Sequence, residues 1–412
     1  MLSVGSAGSV LCGRKEAIRF ARQLLCTGKK KYTALNGKGG LRISEVASSM
    51  DIRMGIYIAV ALLLAFLMTY AATPVVRKFA IHVGAIDVPK DNRRMHSKPV
   101  PLMGGLAIFF SFTLGMMAFV PMDASSLGLL GGALIVTVMG VVDDVSPLRA
   151  GEKLLLEILA ALIPVFCGAV IEKVAWFDTF IYFGDWSIPI TVLWIVAITN
   201  TINLIDGLDG LACGISAISS LALLVVSVLS LHNQTIILVA AILAGACLGF
   251  LPYNRHPAQI FMGDAGALFL GYVLSVISIQ GFFKVNAMIA FVAPFLVLGI
   301  PILDTLFAIV RRLLKGQHPF TSDRQHFHHK LIDMGLNQRQ AVAVLYAVSA
   351  LLGIAAILLA ERNYAAGILV MVLSMVVGLL NLVMNRQDRQ QNEASGEQEE
   401  METCVETKNG PN

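Results

Sequence analysis

Long apolar runs separated by short polar loops dominate this 412-residue sequence and restrict its fold more than any other feature. A helix needs about 20 mostly apolar residues to cross the hydrocarbon core of a bilayer. Runs of this kind, bounded by charged residues, Gly, Pro or Asn, give eleven predicted spans at roughly 55–74, 102–121, 127–142, 153–171, 188–200, 211–231, 235–252, 265–282, 286–310, 340–360 and 364–384. The sequence therefore predicts an all-α polytopic membrane protein with about 11 transmembrane helices.

Composition agrees with this architecture. Hydrophobic residues make up 56% of the chain and charged residues only 14%, against about a quarter charged in soluble domains. We expect a transmembrane domain over 55–385, with a disordered extension at 1–54 and a disordered cytoplasmic tail at 386–412. The six cysteines form no Cys-x-x-Cys pair, so neither a disulfide framework nor a zinc site is indicated. The net charge of +4 does not indicate a nucleic-acid partner.

The distribution of Lys and Arg predicts the orientation of the chain in the membrane. The loops after the odd-numbered spans, together with the C-terminal tail, carry 18 of these residues, whereas the alternate loops carry three. Loops rich in Lys and Arg stay in the cytoplasm. The sequence therefore predicts a cytoplasmic C-terminus and a first span whose N-terminus lies outside.

Residues 1–53 conflict with this orientation, because they carry ten further Lys and Arg residues. The segment lacks an apolar core of about 7–15 residues, so it does not fit a signal peptide. We expect translation to start at Met50 or Met54, immediately before the first predicted span.

Four polar clusters mark the predicted functional region, because ionisable side chains at membrane depth are costly and usually functional. All four lie in loops of the same parity, so the topology gathers them on the cytoplasmic face. Each cluster alone has a structural explanation, since Asp caps helices and Gly-Asp sequences form turns. Four such clusters on one face of the membrane favour a functional site. The clusters are Asp143 and Asp144; Asn200, Asn203, Asp206 and Asp209; Asp264; and Arg324, His326, His328 and His329.

These residue types suit the handling of phosphate with a divalent cation. Carboxylate and amide oxygens are ligands that Mg²⁺ prefers, and Mg²⁺ is commonly shared with substrate phosphates. Arg binds oxyanions bidentately, and Lys offers a point charge. We therefore expect a polyanionic substrate. The available cations are Lys98, Lys153, Arg255, Arg311, Arg312 and Arg324.

Five motifs stand in the loops on the predicted cytoplasmic side. Over about 55–385, they together resemble the polyprenyl-phosphate N-acetylhexosamine-1-phosphate transferase family, and within it the undecaprenyl-phosphate N-acetylglucosaminyl-1-phosphate transferase branch. The motifs are Ile86-Asp87-Val88-Pro89 with Arg93-Arg94-Met95-His96 and Pro99-Val100-Pro101-Leu102-Met103-Gly104-Gly105; Asp143-Asp144; Asn200-Thr201-Ile202-Asn203-Leu204-Ile205-Asp206-Gly207-Leu208-Asp209-Gly210; Pro257-Ala258-Gln259-Ile260-Phe261-Met262-Gly263-Asp264; and Asp323-Arg324-Gln325-His326-Phe327-His328-His329.

Two alternatives are a phospho-N-acetylmuramoyl-pentapeptide transferase and a secondary transporter. The first usually reads Gly-Thr-Pro-Thr-Met-Gly-Gly in its first loop and has three adjacent histidines in its last. The segments here read Pro-Val-Pro-Leu-Met-Gly-Gly (99–105) and His-Phe-His-His (326–329), which favours the N-acetylhexosamine branch. Ala267 departs from the Ser expected in many members. Transporters usually show repeats and broken helices around a midplane site, and no convincing repeat is visible.

The resemblance implies a reaction at the cytoplasmic face of a bacterial plasma membrane. The phosphate of undecaprenyl phosphate attacks the β-phosphorus of a UDP-sugar, with UDP-N-acetylglucosamine as the first expectation, and UMP leaves. The lipid product would begin a cell-envelope polysaccharide or teichoic acid pathway. Mg²⁺ is the implied cofactor, and Mn²⁺ its substitute. A homodimer is compatible with the sequence, although no Gly-x-x-x-Gly motif clearly marks an interface.

The resemblance also implies roles for individual residues. Asp264 would be the principal Mg²⁺ ligand, with Asn203 supplying a second oxygen. Asp264 would also serve catalysis, together with Asp143 and Asp144, which would face the lipid phosphate. One of that pair would act as general base. The expected substrate-binding residues are Lys98 and Lys153 at the lipid phosphate; Asp206, Asp209 and Asn254 on the nucleotide side; Asn200 in the same cluster; and Arg324, His326, His328 and His329 over the diphosphate or sugar.

Overall fold

The computed structural model describes residues 52–88, 99–176, 179–231, 233–283, 289–314 and 327–377. All of them belong to one unit, Asp51–Asn412. Helices dominate this part of the chain, and its two antiparallel sheets have two short strands each. Seven of the described helices are long and apolar enough to cross a membrane. The predicted all-α polytopic fold is confirmed, whereas the predicted extension up to residue 51 and the predicted tail lie outside the described residues.

The elements follow one another in a simple order. The strands are β1 (Ile86–Asp87), β2 (Val100–Pro101), β3 (Lys173–Trp176) and β4 (Thr179–Tyr182), paired as β1 with β2 and β3 with β4. The helices are α1 (Ile52–Val83), α2 (Gly105–Phe119), α3 (Ala124–Val145), α4 (Ala150–Phe166), α5 (Ser187–Ile205), α6 (Leu211–Val226), α7 (Gln234–Asn254), α8 (Gly263–Ser278), α9 (Ile289–Val297), α10 (Gly299–Leu314), α11 (Phe327–Asp333), α12 (Gln338–Ala360) and α13 (Tyr364–Val377).

The predicted count of eleven spans is not settled by these helices. Predicted spans two and eleven correspond to the shorter apolar helices α2 and α13, and span four to the 17-residue helix α4. The remaining predicted spans, apart from the ninth, each coincide with one of the seven long helices.

The predicted ninth span, 286–310, is broken into α9 and α10. Proline has no N–H, so Pro301 cannot donate to the carbonyl of Val297 four residues earlier. Ser219 on α6 supplies the missing donor, with its hydroxyl 2.8 Å from that carbonyl oxygen. A helix break inside a membrane is tolerated where a neighbouring helix satisfies the backbone in this way.

Helices α7 and α8 form the centre of the bundle. In their most apolar stretches 78% and 83% of the residues are buried, against 17% in α1. Two glycines four residues apart let α1 lie against α7: a Cβ on Gly245 or Gly249 would stand 2.1 Å or 2.3 Å from the carbonyl oxygens of Leu62 or Phe66. A Gly-x-x-x-Gly motif is therefore present, and it serves packing within the chain.

The segment before α2 is tied to the segment before α8 by backbone hydrogen bonds. The Phe261 N–H donates to the Pro101 carbonyl, and the Gly104 N–H donates to the Phe261 carbonyl, each at 2.9 Å. A Cβ on Gly105 would lie 2.1 Å from the backbone of Gly266, so no larger residue fits there. The Met-Gly-Gly motif thus holds the start of α8 in place, and α8 carries Asp264.

Candidate active site

Asp144 caps a helix other than its own. Both of its oxygens accept from backbone N–H groups at the start of α8, from Asp264 at 2.8 Å and from Ala265 at 3.3 Å. These donors have no partner within their own helix, and Met262 at the cap position supplies no side-chain bond. Gly263 permits the approach, because it adopts φ +70° and a Cβ there would lie 2.4 Å from Asp144 Oδ2.

Lys153, in the first turn of α4, bridges two carboxylates. Its Nζ lies 2.5 Å from Asp143 Oδ2 and 2.7 Å from Asp264 Oδ2. The other oxygen of Asp143 accepts from the backbone N–H of Leu148 at 2.7 Å. The side chains of Asp143 and Lys153 are 11% and 26% exposed, so the ion pair is only partly screened by solvent.

Asn203, in the last turn of α5, provides a second hydrogen-bond donor to Asp264. Its amide nitrogen donates to Asp264 Oδ1 at 3.1 Å, so both carboxylate oxygens of Asp264 are engaged. Four helices, α3, α4, α5 and α8, therefore bring Asp143, Asp144, Lys153, Asn203 and Asp264 together. We call these five residues the acidic cluster.

Four of the five residues of the acidic cluster, all except Lys153, line a cavity of about 710 Å³. Such a volume lies within the usual range of about 300–1,000 Å³ for small-molecule sites. Seven of the predicted site residues line it: Asp143, Asp144, Asn203, Asp206, Asp209, Asn254 and Asp264. The predicted residues are thus gathered around one space by the fold, while the role of each remains a prediction.

The loops after α5 and α7 stabilise another part of the cavity wall, which includes Asp209 and Asn254. Asp209 accepts from the ring of His256 at 2.8 Å and from the backbone of Ala258 at 3.1 Å. Asn254 is 2% exposed and donates to the Ile260 carbonyl at 3.1 Å. No described residue pairs with Asn254 Oδ1. A buried acceptor of this kind at a cavity wall is suited to a ligand donor.

Asp206 lies just beyond the end of α5 and experiences the negative charge of the whole site. Burial raises its pKa to about 8, and the charges of Asp264, Asp144 and Asp209 act in the same direction. Burial is the larger cause, because it disfavours the charged form of a carboxyl. A bound cation would lower this pKa, because it stabilises the carboxylate.

The remaining predicted residues lie elsewhere or outside the described residues. The Asn200 amide donates to Glu157 on α4 and to the Val196 carbonyl, and Asn200 does not line the cavity. Lys98, Arg324 and His326 lie outside the described residues, and the side chains of His328 and His329 on α11 do as well.

Sequence reasoning assigned no role to several residues at the site. Asp87, Phe261 and Gln338 line the cavity, and the first two belong to motifs already quoted for the resemblance. Glu157 accepts a hydrogen bond from Asn200, which lies three residues before Asn203 of the acidic cluster. Its signal was present in the sequence, since it is the single carboxylate inside the apolar run after Lys153, where an ionisable residue is costly.

The donor chemistry of the acidic cluster fits a hard divalent cation. It offers carboxylate and amide oxygens, which Mg²⁺ and Mn²⁺ accept. Within the described part of the chain, no three His, Cys, Asp or Glu side chains form a ready-made metal cage. Mg²⁺ commonly binds through one or two carboxylates together with substrate phosphates.

Comparison with known proteins identifies the family. The sequence profile described as Glycosyl transferase family 4 matches residues 126–282. A protein of Bacillus subtilis (strain 168), named a probable undecaprenyl-phosphate N-acetylglucosaminyl 1-phosphate transferase, is 39% identical over 343 residues, which cover 81% of this chain and 95% of the relative. The chain belongs to glycosyl transferase family 4. The resemblance predicted from the five motifs is confirmed.

Less similar relatives carry related names. A Mycolicibacterium smegmatis protein named decaprenyl-phosphate N-acetylglucosaminephosphotransferase is 33% identical, covering 77% of this chain and 84% of the relative. A Salmonella typhi protein named undecaprenyl-phosphate alpha-N-acetylglucosaminyl 1-phosphate transferase is 26% identical, covering 70% and 80%. These names do not favour the pentapeptide transferase or the transporter.

Proposed function

We propose that this protein transfers N-acetylglucosamine 1-phosphate from UDP-N-acetylglucosamine to undecaprenyl phosphate at the cytoplasmic face of a bacterial plasma membrane. The observation that carries the proposal is the acidic cluster at the cavity, in a chain that aligns with 95% of a relative named for this activity. Two phosphate anions must meet in such a reaction, and the cluster combines a lysine with oxygen ligands suited to a metal ion.

The reaction breaks one phosphoanhydride bond and forms another. An oxygen of the lipid phosphate bonds to the β-phosphorus of the UDP-sugar, and the bond from that phosphorus to the bridging oxygen breaks, so UMP leaves with the electron pair. Positioning and charge neutralisation dominate catalysis of phosphoryl transfer. Asp264 and Asn203 would hold Mg²⁺, with Mn²⁺ as substitute. When bound, the ion neutralises charge on phosphate oxygens.

The remaining residues of the site divide the other tasks. Lys153 keeps a positive charge 2.7 Å from Asp264, where it attracts and orients the lipid phosphate. One carboxylate of the pair Asp143 and Asp144 acts as the proton acceptor, and Asp144 also holds the start of α8. Asn254 Oδ1 offers an acceptor to a donor of the nucleotide.

Purified protein with undecaprenyl phosphate and Mg²⁺ tests this proposal. UDP-N-acetylglucosamine labelled in the sugar should yield a labelled lipid and an equal amount of UMP, and UDP-N-acetylmuramoyl-pentapeptide should yield neither. Omission of undecaprenyl phosphate is the control. Efficient transfer from the pentapeptide substrate, or uptake of a solute into vesicles without any lipid product, would overturn the assignment.

A further inference from the structure

Glu157 is a buried carboxylate for which the proposed reaction has no direct use. It is 3% exposed, in the second turn of α4, and follows Lys153 by four residues. Residues four apart lie on the same face of a helix, so Glu157 stands one turn behind the lysine that bridges Asp143 and Asp264. A buried carboxylate is costly unless it is paired, which makes its partner informative.

The partner is Asn200 on α5. Its amide nitrogen donates to Glu157 Oε2 and also to the Val196 carbonyl, the latter at 3.0 Å. Two donations from one nitrogen fix the direction of the Asn200 side chain towards α4. Because Asn200 does not line the cavity, this contact belongs to the α4–α5 interface and not to substrate.

The two helices joined by this pair, α4 and α5, also carry the two side chains that donate to Asp264. On α4, Lys153 reaches Asp264 Oδ2 at 2.7 Å, and on α5, Asn203 reaches Oδ1 at 3.1 Å. Asn203 follows Asn200 by three residues, so it lies one turn along the same face. The Glu157 to Asn200 contact therefore links α4 and α5 one turn away from both Lys153 and Asn203.

We infer that Glu157 is a positioning residue, which acts through Asn200 to hold α4 and α5 at the separation where Lys153 and Asn203 both reach Asp264. Its effect on catalysis rests on the proposed function. Glu157 touches none of the reacting groups itself. A misplacement of about 1 Å far from the chemistry lowers rates by about 10²-fold, so loss of the pair lowers turnover without removing any group of the acidic cluster.

A set of four variants tests this inference in the lipid-transfer assay. Glu157→Gln keeps an oxygen that accepts from Asn200 and should stay close to the original kcat. Glu157→Leu removes the acceptor and should lower kcat about 10- to 100-fold, with a smaller change in KM. Asn200→Asp places a second carboxyl group against Glu157 in place of the amide donor, and should lower kcat as well. Combining Asn200→Asp with Glu157→Gln restores a donor and an acceptor in reversed order, and should recover most of the loss.

Rates are compared below the melting transition of every variant in detergent, so that differences in folding do not enter. A pair that only stabilises the fold would shift the melting temperature and leave the kcat of folded protein unchanged, and that result overturns the inference. Failure of the double exchange to rescue Asn200→Asp also overturns it. If Glu157→Leu does not fold, Asn200→Asp and its combination with Glu157→Gln still provide the test, because these substitutions keep the size of the side chains.

Spin labels on exposed positions of the two helices, Leu155 and Leu193, give a readout that does not depend on activity. The distance distribution between them should change in Glu157→Leu and remain unchanged in Glu157→Gln. If the unaltered protein transfers no sugar phosphate, the proposed function falls, and the label distances still decide whether Glu157 sets the helix separation. Unchanged distances in Glu157→Leu would refute the positioning role.

Discussion

Asp264 accepts hydrogen bonds through both oxygens, from Lys153 and from Asn203, at the start of the most buried of the long helices. Replacement of Asp264 by Asn keeps its shape and removes its charge. We expect turnover to fall about 10²- to 10³-fold, by analogy with loss of one charge-stabilising group from an oxyanion site. The Mg²⁺ concentration that gives half-maximal activity should rise. Steady-state kinetics over a Mg²⁺ titration measure both effects.

Asp185→Asn is the matched control for this substitution, because Asp185 is exposed and precedes the start of α5, at the opposite end from Asn203. Its kinetics should equal those of the original protein. A folded Asp264→Asn protein with near-normal turnover and an unchanged Mg²⁺ titration would contradict the metal assignment.

Asp206 makes the stability of the metal-free protein depend on pH. Its pKa is about 8 in the folded protein, raised from the ordinary value of 3.8 by burial. Between these values the folded state holds a proton that the unfolded chain has lost, so stability falls as pH rises through this window and levels off above it. We expect a lower melting temperature in EDTA at about pH 8.5 than at about pH 6.

Asp206→Asn has no such proton and should show a smaller fall in melting temperature over the same pH range. Differential scanning in detergent provides the comparison, with Asp185→Asn again as the control. An equal pH dependence in Asp206→Asn and in the original protein would show that other groups cause the fall.

The residues of the site show which features could be predicted from the sequence and which could not. Asp143, Asp144, Asn203 and Asp264 could be assigned to one site because polar residues in loops of one parity meet on one membrane face. The helix cap made by Asp144 could not be predicted, since it joins residues 120 positions apart. Asn200 was placed with the substrate-binding residues because it stands in the same motif, whereas its partner lies on α4.

At the scale of elements, the site depends on how closely α3 approaches the start of α8. Gly263 adopts φ +70°, and a Cβ there would lie 2.4 Å from Asp144 Oδ2. We expect Gly263→Ala to destabilise the protein by about 1–3 kcal/mol through backbone strain and overpacking, and to lower activity. Gly151→Ala, at the start of α4 with nothing within 4 Å, is the control and should be neutral. Equal melting temperatures and equal activities for the two variants would contradict this account.

The break between α9 and α10 depends on one donor from α6. Ser219→Ala leaves the Val297 carbonyl without the hydroxyl 2.8 Å away. Hydrogen bonds between membrane helices contribute about 0.6 kcal/mol on average and up to about 1.7, so a loss of about that size is expected in the free energy of unfolding.

Ser220→Ala removes a hydroxyl that donates only to the Ser216 carbonyl in its own helix, and it should have the smaller effect. Unfolding in denaturing detergent distinguishes the two variants, and a larger effect at Ser220 would argue against the role of Ser219. The break itself escaped prediction because 286–310 is mostly apolar and reads as a single span, in which the consequence of Pro301 depends on a neighbouring helix.

At the scale of the whole molecule, the acidic cluster lies at one end of α4 and α5, and a group of aromatic residues lies at the other. Helix α4 begins near Lys153 and α5 ends near Asn203, so the β3–β4 hairpin that joins them lies at the opposite ends of these helices. Around the hairpin, Phe180, Tyr182 and Trp186 are exposed, and Lys173 Nζ stands 4.9 Å from the Phe180 ring centre. Aromatic residues of this kind favour the membrane–water interface.

This polarity gives a direct test of orientation. With 18 Lys and Arg in one set of loops and the C-terminal tail, and three in the alternate loops, the acidic cluster should face the cytoplasm and the hairpin the outside. Single cysteines introduced at Gly184, just after β4, and at Gly335 before α12, in a chain without its six native cysteines, report the two faces. A membrane-impermeant maleimide should label Gly184→Cys in intact cells and Gly335→Cys only after permeabilisation. The reverse pattern would place the site outside and remove UDP-sugars, which are made in the cytoplasm, from its reach.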